Sequence, residues 1–284
     1  MIGRFHVNKS NFNKLVKYLF HPVIGNIWCL HRVVPVRSAF KGNRDLEITT
    51  DFLEDMINEK RRQGYRFVDL DTFVASASGI PWKRKLIHVT FDDGFEDVYL
   101  HAYPILKKYQ IPFTFYVSTD FPDGKADLWW LQLENLAQGD SGWFKKTMDQ
   151  VYRSGKNPAD AMHALTGSEI DTSFCPQMSV TWEQLREMVS DGLCTVGSHG
   201  VSHSAMSCLS EEDVQKELQR SKCRLKEMLG VDIKHFSYPY SKYNDATNQL
   251  VWQSGYQTAV LGYGGATRFS KRNRFFYRDY IIQP

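Results

Sequence analysis

The segment TFDDG at residues 90–94 constrains the fold of this chain more than any other feature. Residues 85–89 before it are apolar and partly β-branched and predict a buried strand, whereas residues 97–109 carry apolar side chains at helical spacing. Asp92 and Asp93 therefore lie where a strand ends, and the glycine that follows them permits a sharp backbone turn. In α/β folds this end of the strands is where ligands bind. The segment predicts an α/β fold with a functional site at that end.

The two neighbouring carboxylates have two interpretations. Asp-Gly is common in solvent-exposed turns, where ionised aspartates are well hydrated. At a buried strand end, however, two adjacent carboxylates repel each other unless a cation or a proton neutralises one of them. The pentapeptide alone leaves a solvated turn and a metal site open.

A second polar motif follows another apolar run about a hundred residues later. Residues 193–196 predict a strand, and His199 and His203 come directly after it, four residues apart. On a helical turn that spacing places both imidazoles on one face. Histidine combined with carboxylate is a ligand set suited to zinc and similar divalent ions. The two motifs together favour a metal site.

Three motifs in the chain resemble those of a known family. They are residues 90–94, the pair His199 and His203, and residues 236–240, FSYPY, which occur in the family's order. They are similar to the first three motifs of the polysaccharide deacetylases, the NodB-homology family of carbohydrate esterases (family 4), and the similarity extends from about Ile27 to the C-terminus. The resemblance implies a distorted (β/α) barrel, a divalent metal and hydrolysis of an N-acetyl group from a sugar.

The resemblance also implies a role for each motif residue. Asp93, His199 and His203 would be the metal ligands, and Asp92 the general base. The backbone N–H of Tyr240 would hold the oxyanion. The expected metal is zinc, with Co²⁺, Ni²⁺ and Mn²⁺ as alternatives. Such a metal acidifies a water molecule and polarises the acetyl carbonyl, which overcomes the slow hydrolysis of an amide.

The general acid is expected at an unusual position. Most family members end with a strand carrying Leu-x-His, but residues 275–284 contain no histidine. Members that act on poly-N-acetylglucosamine are circularly permuted and begin with a Tyr-His-Arg-Val-like strand, which residues 30–33, LHRV, resemble. The resemblance therefore assigns the acid role to His31. His88, which we interpret as a core residue, and His235 are the next candidates.

The chain departs from the family pattern in the third motif. Most members have an arginine two residues before the motif's proline, where it orients the base. This chain has Ser237 there. The family's fourth motif is not found. The group that orients Asp92 is therefore missing from the sequence motifs.

The pattern of elements predicts a single domain over residues 1–284. Residues 123–178 show no barrel-type strand and predict a helical insertion, whose Trp129 and Trp130 would either stack on sugar rings or anchor the insertion to the barrel. Residues 11–20 predict a basic amphipathic helix that would pack on its own domain or make peripheral contact with a membrane.

Local signals predict where several elements begin and end. Thr50 is a candidate N-cap for a helix over residues 51–63. Thr181 and Ser210 begin capping-box patterns, and Gly230 predicts the end of the helix that follows Ser210. Short apolar runs predict further strands at residues 27–30, 65–68, 112–117, 257–261 and 277–282.

Composition narrows the functional classes. The 284 residues carry a formal net charge of +3, which is too weak to indicate a nucleic-acid partner. The five cysteines form no C-x-x-C pair and fall mostly in apolar runs, which favours reduced thiols. The sequence shows no clear signal peptide. We therefore expect a cytoplasmic location, with an N-acetylated sugar or glycan as substrate, and the sequence does not indicate an oligomeric state.

Two other functions are compatible with the same motifs. One is a catalytically inactive barrel that binds carbohydrate, although the presence of all the expected ligands and the base disfavours it. The other is hydrolysis of another non-peptide C–N bond, such as a formamide or a cyclic ureide, which the same metal chemistry would serve.

Overall fold

The computed structural model describes residues 23–40, 42–78, 85–268 and 274–284. The helix expected at residues 11–20 lies outside these residues. The described strands are β1 (Val23–Leu30), β2 (Arg32–Val34), β3 (Glu47–Thr49), β4 (Arg66–Phe67), β5 (Leu86–Phe91), β6 (Phe113–Val117), β7 (Cys194–Ser198), β8 (His235–Ser237), β9 (Thr258–Gly264), β10 (Thr267–Arg268) and β11 (Phe275–Tyr280). The described helices are α1 (Thr50–Arg62), α2 (Leu70–Ser78), α3 (Tyr103–Lys108), α4 (Trp129–Ala137), α5 (Ser141–Arg153), α6 (Pro158–Thr166), α7 (Trp182–Ser190), α8 (Glu211–Leu229) and α9 (Asp245–Gln253). A π-helical turn at Val98–Ala102 precedes α3, and short 3-10 turns lie at Arg44–Leu46, Cys175–Gln177, Met206–Cys208 and Pro239–Ser241.

Seven parallel strands of the described chain close into a barrel. Their order is β1, β11, β9, β8, β7, β6 and β5, and β5 pairs again with β1. The closing register runs from Gly25 opposite Leu86 to Leu30 opposite Phe91. Outside the ring, β4 pairs with β5, and β10 pairs antiparallel with β1. The prediction of a distorted (β/α) barrel is confirmed.

The closure between β1 and β5 depends on a glycine. A Cβ atom added to Gly25 would lie 2.0 Å from the carbonyl oxygen of Leu86, a distance that carbon and oxygen cannot adopt without moving the backbone. The absent side chain lets the two strands approach and pair. Gly25 therefore helps β1 to occupy the place between β11 and β5.

The two faces of strand β5 differ in polarity. Strand β5 is buried at every residue because helices cover one face and the barrel interior covers the other. The outer face packs Ile87, Val89 and Phe91 into the main hydrophobic cluster. The alternating residues His88 and Thr90 point inward and are fully buried. The inward face of β5 is thus polar, and Asp92 continues it at the carboxyl end of the strand.

Between β6 and β7 the chain forms the helices α4, α5 and α6. These helices share a hydrophobic cluster of their own, which includes Phe121, Leu128, Trp129, Trp130, Leu133, Phe144, Val151 and Met162. We call residues 123–178, which contain these helices, the insertion. Its first helix begins next to the carboxyl end of the barrel, which brings its aromatic residues close to the strand ends.

Several predicted helix boundaries agree with the structure. Thr181 forms the full capping box with Gln184 at the start of α7, and the hydroxyl of Ser210 accepts a hydrogen bond from the backbone N–H of Asp213. Gly230 ends α8 in the left-handed conformation. The N-cap of α1 was predicted one residue too late, since Thr49 accepts the capping bond. Among the described residues, no helix combines the length and the apolar character needed to cross a bilayer.

Candidate active site

A cavity of about 310 Å³ lies at the carboxyl ends of the barrel strands. Asp92 and Asp93 reach it from the end of β5, and His199 and His203 from the end of β7. Tyr240 lines it from the turn after β8, and the remaining candidate, His31, from the end of β1. The fold therefore brings together side chains that lie far apart in the sequence, and every candidate site residue lines this one cavity.

The backbone is unusual at three of these residues. Asp93, His203 and Tyr240 have φ angles of 77°, 56° and 54°, which lie in the left-handed region that side chains other than glycine rarely adopt. Gly94 has a φ of 147°, and a Cβ there would lie 2.7 Å from the Cβ of Phe121. Such conformations cost free energy and persist where the surrounding structure enforces them, which is typical of functional sites.

Asp93, His199 and His203 form a compact set of donors. Their ligand atoms lie within 4.8 Å of one another. Oδ1 of Asp93 is 3.1 Å from Nε2 of His203 and 3.5 Å from Nε2 of His199. Two ligands of a tetrahedral zinc ion, each about 2.0–2.1 Å from the metal, are separated by about 3.3 Å. The residues present therefore fit a divalent ion of this kind.

Outer partners orient both imidazoles. Nδ1 of His199 donates to the carbonyl oxygen of Ser237 at 2.8 Å, and Nδ1 of His203 lies 2.9 Å from the hydroxyl of Tyr240. Trp129 Nε1 donates to the same hydroxyl at 2.8 Å. A proton on Nδ1 leaves the lone pair of Nε2 free for a metal, and partners of this kind are common around ligating histidines.

The two histidines do not lie on a helical turn, so that expectation was wrong. Residues 199–203 form a loop, in which Gly200 has a φ of 83° and His203 also adopts a left-handed conformation. A side chain at Gly200 would meet Glu217 and Met206 at about 3 Å. The two imidazole rings nevertheless come within 4.9 Å of each other. The loop, rather than helical periodicity, brings them together.

Electrostatics favours the ionised form of Asp93. Burial raises the pKa of this carboxyl, but the imidazoles of His203 and His199 outweigh it and hold the pKa well below its usual range. An ionised carboxylate beside two histidines is the state that a cation requires. Asp93 is therefore ready to act as a ligand at neutral pH.

The sequence analysis missed an arginine that binds Asp92. Arg278, on β11, is fully buried and places its guanidinium against both carboxylate oxygens of Asp92, with 2.7 Å from Nη1 to Oδ1. Ser237 donates from Oγ to Asp92 at 3.1 Å and accepts from Arg278 at 3.0 Å. The position that carries serine instead of arginine in the third motif thus takes part in the same network.

Arg278 also determines the charge of Asp92. Burial raises the pKa of this carboxyl, but the charges of Arg278 and His199 outweigh it, so the pKa lies below its ordinary value. One signal in the sequence could have revealed this arginine. Phe276 and Arg278 alternate as buried residues along the terminal strand, and a charged residue facing inward in a strand needs a partner.

His31 lies beside Asp92 in the cavity. Its imidazole, the thiol of Cys29 and the carboxylate of Asp92 have atoms within 4.8 Å of one another. Its ring centroid is 5.2 Å from that of Tyr280 on β11. Burial lowers the pKa of His31, and Asp93 and Asp92 only partly restore it. A lowered pKa makes the protonated ring a stronger acid and reduces the fraction protonated at neutral pH.

The other two candidate acids lie deeper in the barrel. His88 contacts the carbonyl oxygen of Val68 and the hydroxyl of Thr114, each at 2.9 Å. His235 lies 2.8 Å from the hydroxyl of Thr258. Neither lines the cavity. The structure places His88 in the core, as expected, and leaves His31 as the histidine beside the base.

The paired tryptophans of the insertion are both buried. Trp130 lines the cavity, and its ring lies 5.2 Å from that of His203. Trp129 supports the site indirectly through its bond to Tyr240. The anchoring interpretation therefore holds for Trp129, and Trp130 forms part of the cavity wall.

Comparison with known proteins agrees with this site. A family model described as polysaccharide deacetylase matches residues 80–259, which include both aspartates, both histidines and Tyr240. The chain belongs to the polysaccharide deacetylase family. The chain is 25% identical over 183 residues to the putative polysaccharide deacetylase YxkH of Bacillus subtilis, covering 64% of this chain and 47% of that protein. It is 23% identical to the poly-beta-1,6-N-acetyl-D-glucosamine N-deacetylase of Staphylococcus aureus, covering 77% of this chain and 62% of that protein.

Solved structures share the fold over nearly the whole chain. IcaB from Ammonifex degensii superposes with a TM-score of 0.65 at 25% identity, covering 92% of this chain and 93% of that one. The Streptococcus pyogenes deacetylase PplD, solved with acetate, gives 0.66 at 22% identity over the same shares, which supports the fold. This chain spans about half to three fifths of the length of the two curated relatives.

Proposed function

We propose that this chain is a metal-dependent hydrolase that removes the N-acetyl group from an N-acetylated sugar in a polysaccharide or glycan precursor. One observation carries the proposal: the donors of Asp93, His199 and His203 lie together beside an ionised Asp92 at the carboxyl end of the barrel. A divalent ion held by those donors supplies Lewis-acid chemistry, which acidifies water and polarises a carbonyl. We propose zinc, with Co²⁺, Ni²⁺ and Mn²⁺ as alternatives.

The chain's own residues then divide the proton transfers. Asp92, ionised and held by Arg278, accepts the proton of the attacking water. His31, beside Asp92, donates a proton to the departing amine. The backbone N–H of Tyr240 donates to the acetyl oxygen as negative charge develops on it. Removing the proton from water and adding one to nitrogen addresses the two slow parts of amide hydrolysis.

The aromatic wall of the cavity supports a sugar as substrate. Trp130, Tyr152 and Tyr240 present rings to the cavity, and rings of this kind pack against the apolar faces of sugars. Asn43 and Asp45 also line the cavity and add polar groups to its wall. The proposed substrates are N-acetylated glycans or their lipid-linked or nucleotide-linked precursors, which a cytoplasmic enzyme would encounter. Residues 11–20 provide the proposed contact with a membrane surface.

A substrate panel tests the proposal. Purified protein, supplied with zinc, is incubated with N-acetylglucosamine oligomers, nucleotide-linked N-acetylglucosamine, a formamide and a cyclic ureide, and the released acetate, formate or ring-opened product is measured. We expect acetate from at least one N-acetylated sugar, and release from Asp92→Asn that is lower by roughly 10²- to 10⁴-fold. Release only from the formamide or ureide would favour the other hydrolase. Sugar binding by calorimetry without any release would favour an inactive barrel.

A further inference from the structure

Several elements surround the opening of the active-site cavity. They are α4 and α5 of the insertion, the segment of residues 42–46, the ends of β9 and β11 and the turn after β8. We call this wall the rim. The catalytic side chains lie at its base, so a substrate must enter through the opening that the rim surrounds.

Contacts within the described residues connect each part of the rim to the next. On one side, the ring of Tyr152 lies 6.0 Å from that of Tyr240. The hydroxyl of Ser241 then accepts from the backbone N–H of Gly262 at 2.7 Å, which joins the turn after β8 to β9. Strand β9 pairs directly with β11 through Gly264 and Arg278.

The segment of residues 42–46 connects the other side. Nδ2 of Asn43 donates to the carbonyl oxygen of Trp130 at 2.9 Å and to the carboxylate of Glu134 at 2.6 Å. Arg37 donates to the carbonyl oxygens of Arg44 and Pro284 at 3.1 and 3.2 Å. The segment is therefore held to α4 at one end and to the residues after β11 at the other.

The segment is packed as well as bonded. Asn43 is only 7% exposed, although it lies in a loop. The ring of Phe40 meets that of Phe144 on α5 edge-on at 5.5 Å. A buried asparagine with both bonds satisfied costs free energy to displace, because its amide would lose two partners. The rim is thus a fixed part of the structure.

We propose, on the basis of the deacetylase function above, that the enzyme acts on a terminal N-acetylhexosamine or on a single sugar carrying one substituent. An internal residue of a polymer has two glycosidic bonds, and the chain must leave the site in two directions. A groove open at both ends allows this, whereas a closed rim does not. A terminal residue needs only the one exit.

The size of the cavity supports the same conclusion. Pockets that hold drug-sized ligands range from roughly 300 to 1000 Å³. The cavity of about 310 Å³ lies at the lower end of that range. It has room for one sugar ring with its acetamido group above the catalytic residues, and the remaining units of a longer chain would lie outside the rim.

Positional analysis of the product tests the proposal. An N-acetylglucosamine pentamer labelled at its reducing end, in β-1,4 and β-1,6 linkage, is treated with the zinc-loaded protein, and tandem mass spectrometry locates each free amine. We expect the amine at a terminal unit, with at least tenfold preference over internal units. Comparable amounts at internal units would overturn the proposal. Turnover of nucleotide-linked N-acetylglucosamine with an inert pentamer would support it, whereas no acetate from any sugar would refute the deacetylase function itself.

Opening the rim tests its role. Asn43→Ala removes the bond between the segment and α4, and Tyr152→Ala removes the ring beside Tyr240 independently. Each variant should raise the share of internal deacetylation several-fold. Leu136→Ala is the matched control, since Leu136 lies on α4 but is 41% exposed and faces away from the cavity. A terminal-only pattern in all three variants would show that the rim does not select the substrate, and would overturn the proposal.

Discussion

Two ends of the barrel interior contain buried titratable groups in opposite states. Asp92 lies just beyond the carboxyl end of β5, and His88 lies four residues earlier on the same inward face. Thr90 is between them and donates to the carbonyl oxygen of Trp28 while accepting from Arg278. Burial opposes charge on both groups. The surroundings of each group decide whether the charge survives.

At the carboxyl end, the charges compensate one another. Arg278 balances the charge of Asp92, and the imidazoles of His203 and His199 lie within 3.5 Å of Asp93. At the amino end, the hydrogen-bond partners of His88 and His235 are neutral, Nε2 of His235 lies 3.7 Å from the exposed carboxylate of Asp71, and burial lowers the pKa of each histidine to about 4. The comparison teaches that a fully buried opposite charge in direct contact preserves the charge of Asp92, whereas an exposed carboxylate at a longer distance does not preserve one on His235.

The largest effect is expected from the metal ligands. His199→Ala and His203→Ala each remove one donor of the set that includes Asp93. The bound metal should therefore fall well below one equivalent per protein. Deacetylation should fall by roughly 10³-fold or more, because the metal ion, acting as a Lewis acid, lowers the activation barrier by several kcal/mol. Elemental analysis and acetate release measure both. His163→Ala, an exposed histidine of α6, is the control. Normal metal content in both ligand variants would refute the assignment.

Removing the base or the acid should leave the metal in place. Asp92→Asn keeps the size of the side chain, and neither Asp92 nor His31 belongs to the set of Asp93, His199 and His203 donors. We expect each to lower kcat by roughly 10²- to 10⁴-fold, the usual contribution of one acid–base group. Metal content should stay near that of the unmodified protein in both variants. The thermal midpoint should stay near it in His31→Ala and fall in Asp92→Asn, which leaves the buried Arg278 without its counter-charge. Near-full activity of His31→Ala would show that another group protonates the amine.

A smaller effect on activity should follow from replacing Arg278, whose positive charge compensates the negative charge of Asp92. Arg278 lowers the pKa of Asp92, so Arg278→Met leaves the opposing effect of burial and raises that pKa. Since the base works only when ionised, the acidic limb of kcat/KM against pH should move to higher pH. At neutral pH we expect a loss of roughly 10- to 100-fold, as for other outer partners. Arg278→Lys, which keeps the charge, should move the limb less, and an unchanged profile in both would contradict the role.

The smallest effect on activity is expected at the amino end. A histidine whose pKa falls from 6.5 to about 4 on folding stabilises the folded state fully above pH 6.5 and progressively less as the pH falls toward 4. For each of His88 and His235, the unfolding free energy should therefore fall by about 2 kcal/mol when the pH is lowered from 7 to 5. In urea unfolding, His88→Gln should reduce the difference in unfolding free energy between pH 7 and pH 5. The variant should retain its activity at pH 7. A difference as large as in the unmodified protein would contradict this account.

Local patterns in the sequence predicted the fold and the caps well. The apolar runs that end in TFDDG and before His199 predict parallel strands, and their polar ends meet at one edge because parallel strands all point the same way. Thr181, Ser210 and Gly230 mark helix ends through bonds to residues three or four positions away. Such short-range physics is visible in the sequence.

Long-range partners were not predictable in the same way. Arg278 lies 186 residues from Asp92, and no local pattern connects them. The spacing of His199 and His203 fits a helical turn equally well, and only Gly200 indicates the loop that forms instead. The rim likewise depends on Asn43 meeting α4, a contact across 87 residues. These features follow from tertiary packing.

The position of β1 between β5 and β11 affects how the protein folds while it is synthesised on the ribosome. Strand β1 emerges early, but its edge toward β11, where Cys29 pairs with Tyr280, stays unpaired until roughly 250 more residues have been translated. An exposed strand edge is a place where other chains can pair, so β1 is open to such pairing until β11 arrives. Arg278 arrives with the same strand that closes the ring. A chain whose translation stops before residue 275 therefore has neither a closed barrel nor the arginine that pairs with Asp92. Such a truncated chain lacks a complete hydrolase site.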